Sequence, residues 1–180
     1  MSIEALLKEI GMKETSGSSP RIAVITMCSS QKFADRGPAK VVYAASGKNI
    51  AGKIRIIAER FSADLWFLSA KYGLVHADEE IEAYDAYIKS VPLSHLKKAI
   101  KVIEEKSAKM PRYDAVVIAV SQPYLRLADH LKLRPRYVAA VAKRCPRWCP
   151  SCFLYRPRGY SDFPKGVEEF LKMFAKIISR

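Results

Sequence analysis

"RIAVITMC", residues 21–28, is the stretch on which the fold turns. Its apolar side chains run without polar alternation, and Ile22, Val24, Ile25 and Thr26 are β-branched. A strand with that pattern is covered on both faces, which is the situation inside a parallel sheet. "DLWFLSA" at 64–70 and "DAVVIAV" at 114–120 repeat the signature. Between the first two lies "KNIAGKIRIIAERFS", with Ile50, Ile54, Ile57, Ala58 and Phe61 on one helical stripe. Between the second and third lies "LSHLKKAIKVIEEK", with Leu96, Ala99, Ile100 and Ile103 likewise aligned. Strands alternating with helices require crossover connections, so the sequence predicts an α/β fold. It is a single three-layer domain over residues 20–180 with a mostly parallel sheet. Its central strands are expected at Ile22–Met27, Leu65–Leu68 and Ala115–Val120, all parallel. "RYVAAVAK" (136–143) is a weaker fourth strand, and "GVEEFLKMFAKII" (166–178) a closing helix. Residues 1–19 read as a short helix, Ser2 to Gly11, and a "TSGSSP" linker.

A chain of 180 residues with 49% hydrophobic and 27% charged side chains can bury one substantial core. It has no apolar run of membrane-spanning length, and its start is amphipathic rather than basic and then apolar. Neither a membrane span nor a signal peptide is expected, and a cytoplasmic location follows. The formal net charge is +13. Between Arg126 and Arg158 there are nine basic residues against the single acid Asp129, interleaved with Tyr137, Trp148, Phe153 and Tyr155. Cations alternating with flat rings suit phosphate contact and base stacking, so the expected partner is nucleic acid, RNA before DNA, or a nucleotide.

In an open parallel sheet, ligands bind beyond the carboxyl ends of the strands. After the first strand come Cys28, Ser29, Ser30 and Lys32. After the second come Ser69, Lys71, Tyr72 and Gly73. After the third come Ser121, Gln122 and Tyr124. At a strand-to-helix corner near lysines, Cys28 is a candidate nucleophile or metal ligand. Ser29 and Ser30 suit a phosphate contact or a helix cap. Lys71, beside a glycine that allows close backbone approach, is placed to bind phosphate or carboxylate. Tyr72 can stack on a base or join the core, and Asp85 can serve as base, ribose ligand or cap. His76, His95 and His130 have no ligand-pair spacing, although His130 could complete a zinc site.

"CPRWCPSC", residues 145–152, holds three of the four cysteines, Cys145, Cys149 and Cys152. In a reducing compartment such clustering points to metal before disulfides. The x3 and x2 intervals suit three thiolates around a four-iron cluster, a 4Fe-4S centre. Zinc is the alternative, Cys28 a candidate fourth ligand, and small buried side chains the plainest reading.

"CSSQK", then "AKVVYAASG" with Tyr43 and Ser46, then "LWFLSAKYGLV" and Tyr84-Asp85 resemble a family of small α/β domains of unknown function. That family is distantly similar to the domain of archaeosine synthase that carries a Cys, Lys, Tyr and Ser motif. The resemblance covers about residues 20 to 125. It implies a Rossmann-like sheet and chemistry on a modified base of tRNA. The matching positions are Cys28, Lys32, Tyr43, Ser46 and Ser69, followed by Lys71, Tyr72, Gly73 and Asp85. The chain lacks the proline before the cysteine and the histidine after the serine of the synthase motif, and adds the cysteine trio.

Together these features lead to the expectation of an enzyme that modifies a nucleobase or nucleoside, with catalytic Cys28, Lys71 and Asp85 and a cysteine-ligated metal centre. Substrate would be held by Ser29, Ser30, Lys32, Tyr43 and Ser46, and by Ser69, Tyr72, Gly73, Ser121 and Gln122. The other function class is a metal-stapled nucleic-acid-binding module without chemistry.

Overall fold

The computed structural model describes residues 21–84 and 88–178. The expected N-terminal helix and Asp85 lie outside the described residues. Six strands form one sheet in the order β4-β3-β1-β6-β7-β8: β1 (Ile22–Met27), β3 (Asp64–Ser69), β4 (Gly73–His76), β6 (Ala115–Ala119), β7 (Tyr137–Val141) and β8 (Phe153–Tyr155). All neighbours pair in parallel except β4, which returns antiparallel along β3. β1 lies at the centre, with Val24 opposite Leu65 on one side and Val117 on the other. These three strands are the three continuous apolar runs of the sequence. Val24, Ile25, Phe67, Leu68, Val117 and Ile118 are all fully buried, each contributing about 1.5–3 kcal/mol by removal from water. A second, two-stranded ribbon pairs β2 (Arg36–Pro38) antiparallel with β5 (Glu80–Glu82). These three-residue segments lack a period long enough to read in sequence.

Five helices complete the described residues: α1 (Ala39–Ala44), α2 (Ile50–Arg60), α3 (Leu93–Ala108), α4 (Gln122–Ala128) and α5 (Asp162–Ile178). The Asn49 side chain caps α2 by accepting from Gly52 N at 2.8 Å, and Ala51, Ile54, Ile57 and Ala58 form its buried stripe. α5 begins four residues before the expected Gly166, because Asp162 and Pro164 both suit a first helical turn. Its Phe163, Val167, Phe170, Leu171 and Phe174 are buried, and the helix packs on α2, β6 and β7. The β1-to-β3 crossover carries α2, and the β3-to-β6 crossover, running the opposite way across β1, carries α3. Right-handed crossovers in opposite directions place α2 and α3 on opposite faces, giving three layers.

Gly73, at the start of β4, has φ +77°. A Cβ added there would lie 2.5 Å from Ala99 O, so its bare Cα serves the packing of β4 on α3. No helix among the described residues is long and apolar enough to cross a membrane.

Candidate functional site

The connections leave β1 towards β3 on one side and return to β6 on the other. The carboxyl ends of β1 and β6 therefore border the topological switch point, where an open α/β sheet forms a crevice. Cys28 is the residue after β1, its backbone held by Cys28 N donating to Leu68 O at 3.0 Å. Its sulfur lies 3.2 Å from Tyr124 Oη, at the start of α4 beyond β6. From the other side Tyr84 Oη donates to Cys28 Sγ at 3.5 Å. The thiol is 7% exposed and enclosed by two phenols.

The hydrogen bonds continue outward from Tyr84. Its hydroxyl lies 2.5 Å from Ser69 Oγ and accepts from Tyr43 Oη at 3.2 Å. Ser69, fully buried at the end of β3, also accepts from the backbone N–H groups of Lys71 and Tyr72 at 3.2 and 3.0 Å. Its hydroxyl thus shapes the turn into β4 and anchors the tyrosine network. Burial pushes the Tyr84 and Tyr43 phenols far above the ordinary tyrosine range, and the nearby Cys28 adds to the effect. Both are neutral hydroxyls at physiological pH and can pass a proton without holding a charge.

Two ammonium groups cover this network. Lys32 Nζ sits 5.2 Å from the ring centroids of both Tyr43 and Tyr84 and donates to Ser29 O. Lys71 Nζ lies 5.1 Å from the Tyr72 ring and 5.3 Å from that of Tyr84. Cations held over phenol faces near a thiol favour negative charge arriving there. Beside them opens a cavity of about 500 Å³, walled by Lys71 and Tyr84 on one side and Ser90, Val91, His95 and Lys98 on the other. Tyr84 is the shared wall: it lines the cavity and bonds Cys28.

The structure brings together Cys28, Lys32, Tyr43, Ser69, Lys71 and Tyr72. Tyr72 Oη donates to Glu82 O at 2.9 Å, tying the turn to β5. Ser29 Oγ donates to Tyr43 O at 2.9 Å and Ser46 Oγ accepts from Lys48 N at 3.1 Å, so both brace backbone. Ser30 and Gln122 are exposed, and Ser121 stands at the N-cap of α4 with its N–H on Met27 Sδ. Of the histidines, His76 accepts from Asp78 N, His130 lies 3.2 Å from Glu104, and His95 borders the cavity. Sequence reasoning missed Tyr84 and Tyr124 as site residues. Each had been read only as part of a motif or loop, since their closure on Cys28 depends on a fold that joins residues 56 and 96 positions apart.

The cysteine loop follows β7. Cys145 and Cys152 are joined as a disulfide with Cα atoms 5.8 Å apart, while Cys149 is a free, half-buried thiol that burial pushes up in pKa. In this oxidised form the loop offers a metal one thiol. Among the described residues no group of three or more His, Cys, Asp or Glu is placed to hold a metal ion. The loop is clasped to α4: Arg144 donates twice to the Asp129 carboxylate at 2.9 and 2.7 Å, Arg147 N donates to it at 2.9 Å, and Trp148 Nε1 donates to Ala128 O at 2.9 Å. Burial opposes ionisation of Asp129, but the two arginines outweigh it and hold the carboxyl below the usual range.

A three-layer α/β domain with a thiol and tyrosine cluster at its switch point matches a known family model. The chain belongs to the family of unknown function DUF6884, whose model covers residues 22–145, from the first residue of β1 to the first cysteine of the loop. No curated protein and no solved structure matches the chain.

Proposed function

We propose that the protein is an enzyme that modifies a nucleobase or nucleoside, in tRNA or free, at the Cys28 site. One observation carries the reading: a buried thiol at the switch point bonds two phenols, one of which also walls a cavity bearing Lys71, Lys98 and His95. The cations and the ring of Tyr84 suit a nucleoside phosphate, with phosphate on the lysines and the base towards the tyrosines. With the Tyr84 ring turned aside, Cys28 then adds through sulfur across a ring C=N bond: the S–C bond forms as the C=N π pair moves to nitrogen, and that nitrogen takes the thiol proton by way of Tyr84 or Tyr124, so the adduct forms without net proton release. Lys32 and Lys71 offset negative charge as it develops on the base.

The test is nucleoside mass spectrometry of total tRNA from a deletion strain. A modified nucleoside should disappear, return with the wild-type gene, and stay absent with Cys28→Ser. In parallel, purified protein should convert a component of a nucleoside and nucleotide mixture. Unchanged tRNA together with no conversion would overturn the enzyme reading. Lys71→Ala should weaken nucleotide binding while leaving the melting temperature unchanged, because an exposed lysine contributes little to folding.

The second reading, a nucleic-acid-binding module stapled by the cysteine loop, rests on the exposed Phe153 and Leu154 beside Lys143, Arg147 and Arg156. A metal, iron-sulfur or zinc, belongs on this reading to the reduced loop, where Cys145, Cys149 and Cys152 are all free. RNA binding that survives Cys28→Ser but fails with Cys149→Ser, with tRNA unaltered, would favour it.

A further inference from the structure

A second cleft, of about 520 Å³, lies at the end of the sheet opposite Cys28. It opens between the loops that enter β6 and β7, at the amino ends of strands whose carboxyl ends border the switch point. Five or six residues of strand, roughly 20 Å at the usual rise, separate the two ends. Its apolar lining is the half-buried Met110 and Leu133 above the all but buried Tyr113 and Val116, and its rim carries Arg112, Lys132 and Arg134. No Asp or Glu lines it. Of the nearby acids, Asp64 accepts from the hydroxyl of Tyr113, itself a lining residue, and Asp114 accepts from Arg21 N.

The rim is built rather than incidental. Pro135 restricts the backbone of Arg134 before it, and Pro111 fixes its own φ in the turn that leads to Arg112. The 2% exposed Ser107 at the end of α3 accepts from Lys132 N at 2.8 Å and donates to Ile103 O at 2.5 Å, pinning one wall to the helix. Three rim cations on exposed residues stand over a floor of ring and aliphatic carbon. That combination suits a ligand with one flat apolar face and a charged phosphate, and the cleft volume accommodates one such unit.

From this juxtaposition we infer that the cleft is a second nucleoside-phosphate site. It binds one nucleotide unit with the base against Met110 and Leu133 and the phosphate on Arg112, Lys132 and Arg134. The inference does not depend on chemistry at Cys28. A polynucleotide engaging it would run from one end of the sheet towards the other, along a protein of net charge +13.

The test measures anisotropy of a fluorescein-labelled mixed-sequence 12-nucleotide RNA against salt for the wild type, Arg112→Ala/Arg134→Ala, and Lys71→Ala. The double variant should bind about tenfold more weakly, and its slope of log affinity against log salt should fall by roughly 0.7, the value for one lost phosphate contact on a single strand, since the two arginines share one phosphate. An unchanged melting temperature verifies folding, and Arg134→Glu provides a second variant with a larger loss in the same direction. Adenosine monophosphate, titrated alone and followed by the Tyr113 region in protein NMR, separates a free nucleotide from a chain: shifts with the mononucleotide assign the former, shifts with RNA alone the latter. Wild-type affinity and slope in both cleft variants would overturn the inference, as would equal displacement of the RNA by polyglutamate. Loss of binding in Lys71→Ala with none in the cleft variants would confine recognition to the Cys28 end.

Discussion

Cys28 Sγ and Tyr124 Oη meet at 3.2 Å across the switch point, joining the end of β1 to the first turn of α4. The contact couples the Cys28 thiol to the helix whose far end, at Asp129, holds the cysteine loop. Tyr124→Phe removes one of the two hydroxyls on the thiol. The expected cost is about 1 kcal/mol of stability, that of one hydrogen bond with the ring retained. Alkylation of Cys28 by iodoacetamide, followed by peptide mass spectrometry, should change in rate in this variant and be unaffected by Tyr160→Phe, a surface control. Equal rates in Tyr124→Phe and wild type would disconnect the hydroxyl from the thiol.

Tyr43, Tyr84 and Tyr113 are all raised above the tyrosine range, first of all by burial. A raised folded-state pKa for a phenol favours the neutral form in the folded protein, so the unfolded chain loses these protons first. The associated stability is complete below the unfolded value of about 10 and declines as pH rises above it. Absorbance titration should show at least these three of the nine tyrosines ionising only together with unfolding. Smooth titration of all nine in a still-folded protein would contradict the enclosed network.

Asp129, with a 10% exposed side chain, is the hub of the loop clasp. Its carboxyl is held low, so its contribution to stability is present above the ordinary carboxylate value of about 3.9 and is lost as pH falls through the lower folded value. Asp129→Ala leaves the Arg144 guanidinium and the Arg147 N–H without their acceptor, at an expected cost of about 2 kcal/mol. Limited proteolysis should show earlier cleavage between Lys143 and Arg158 in the variant. An unchanged cleavage pattern would mean that the loop is held by other contacts.

With Cys145 and Cys152 joined, denatured, unreduced protein should titrate with two thiols, Cys28 and Cys149, and with four after reduction. Protein purified without oxygen addresses the metal reading directly. A brown preparation with iron and labile sulfide would assign a cluster to the reduced loop, and one colourless zinc per chain the alternative. Metal-free protein with two thiols would show that the disulfide, and not a metal, joins the loop's cysteines.

The sheet was legible in the chain because strands buried on both faces are apolar at nearly every position, and Ile22–Met27, Leu65–Leu68 within β3, and Ala115–Ala119 follow that pattern locally. Helices α2, α3 and α5 were legible from one apolar stripe at the helical period, whereas the short α1 and α4 were not read as helices. Placing Cys28, Ser69 and Lys71 on one rim required only the rule that ligands gather at strand carboxyl ends. The three-residue strands β2, β5 and β8 were not legible, since their pairing is decided by partners distant in sequence. The same holds for Tyr84 and Tyr124. A tyrosine in a loop has no local signature of the sulfur it will touch, and only chain closure through the crossovers brings those hydroxyls to Cys28. The sequence by itself determined the layered α/β scaffold and the neighbourhood of the thiol, because burial and periodicity act within a few residues. Tertiary structure alone decided which hydroxyls enclose that thiol, which carboxylate clasps the cysteine loop and where three rim cations converge, because each depends on the register and handedness of strands far apart in the chain.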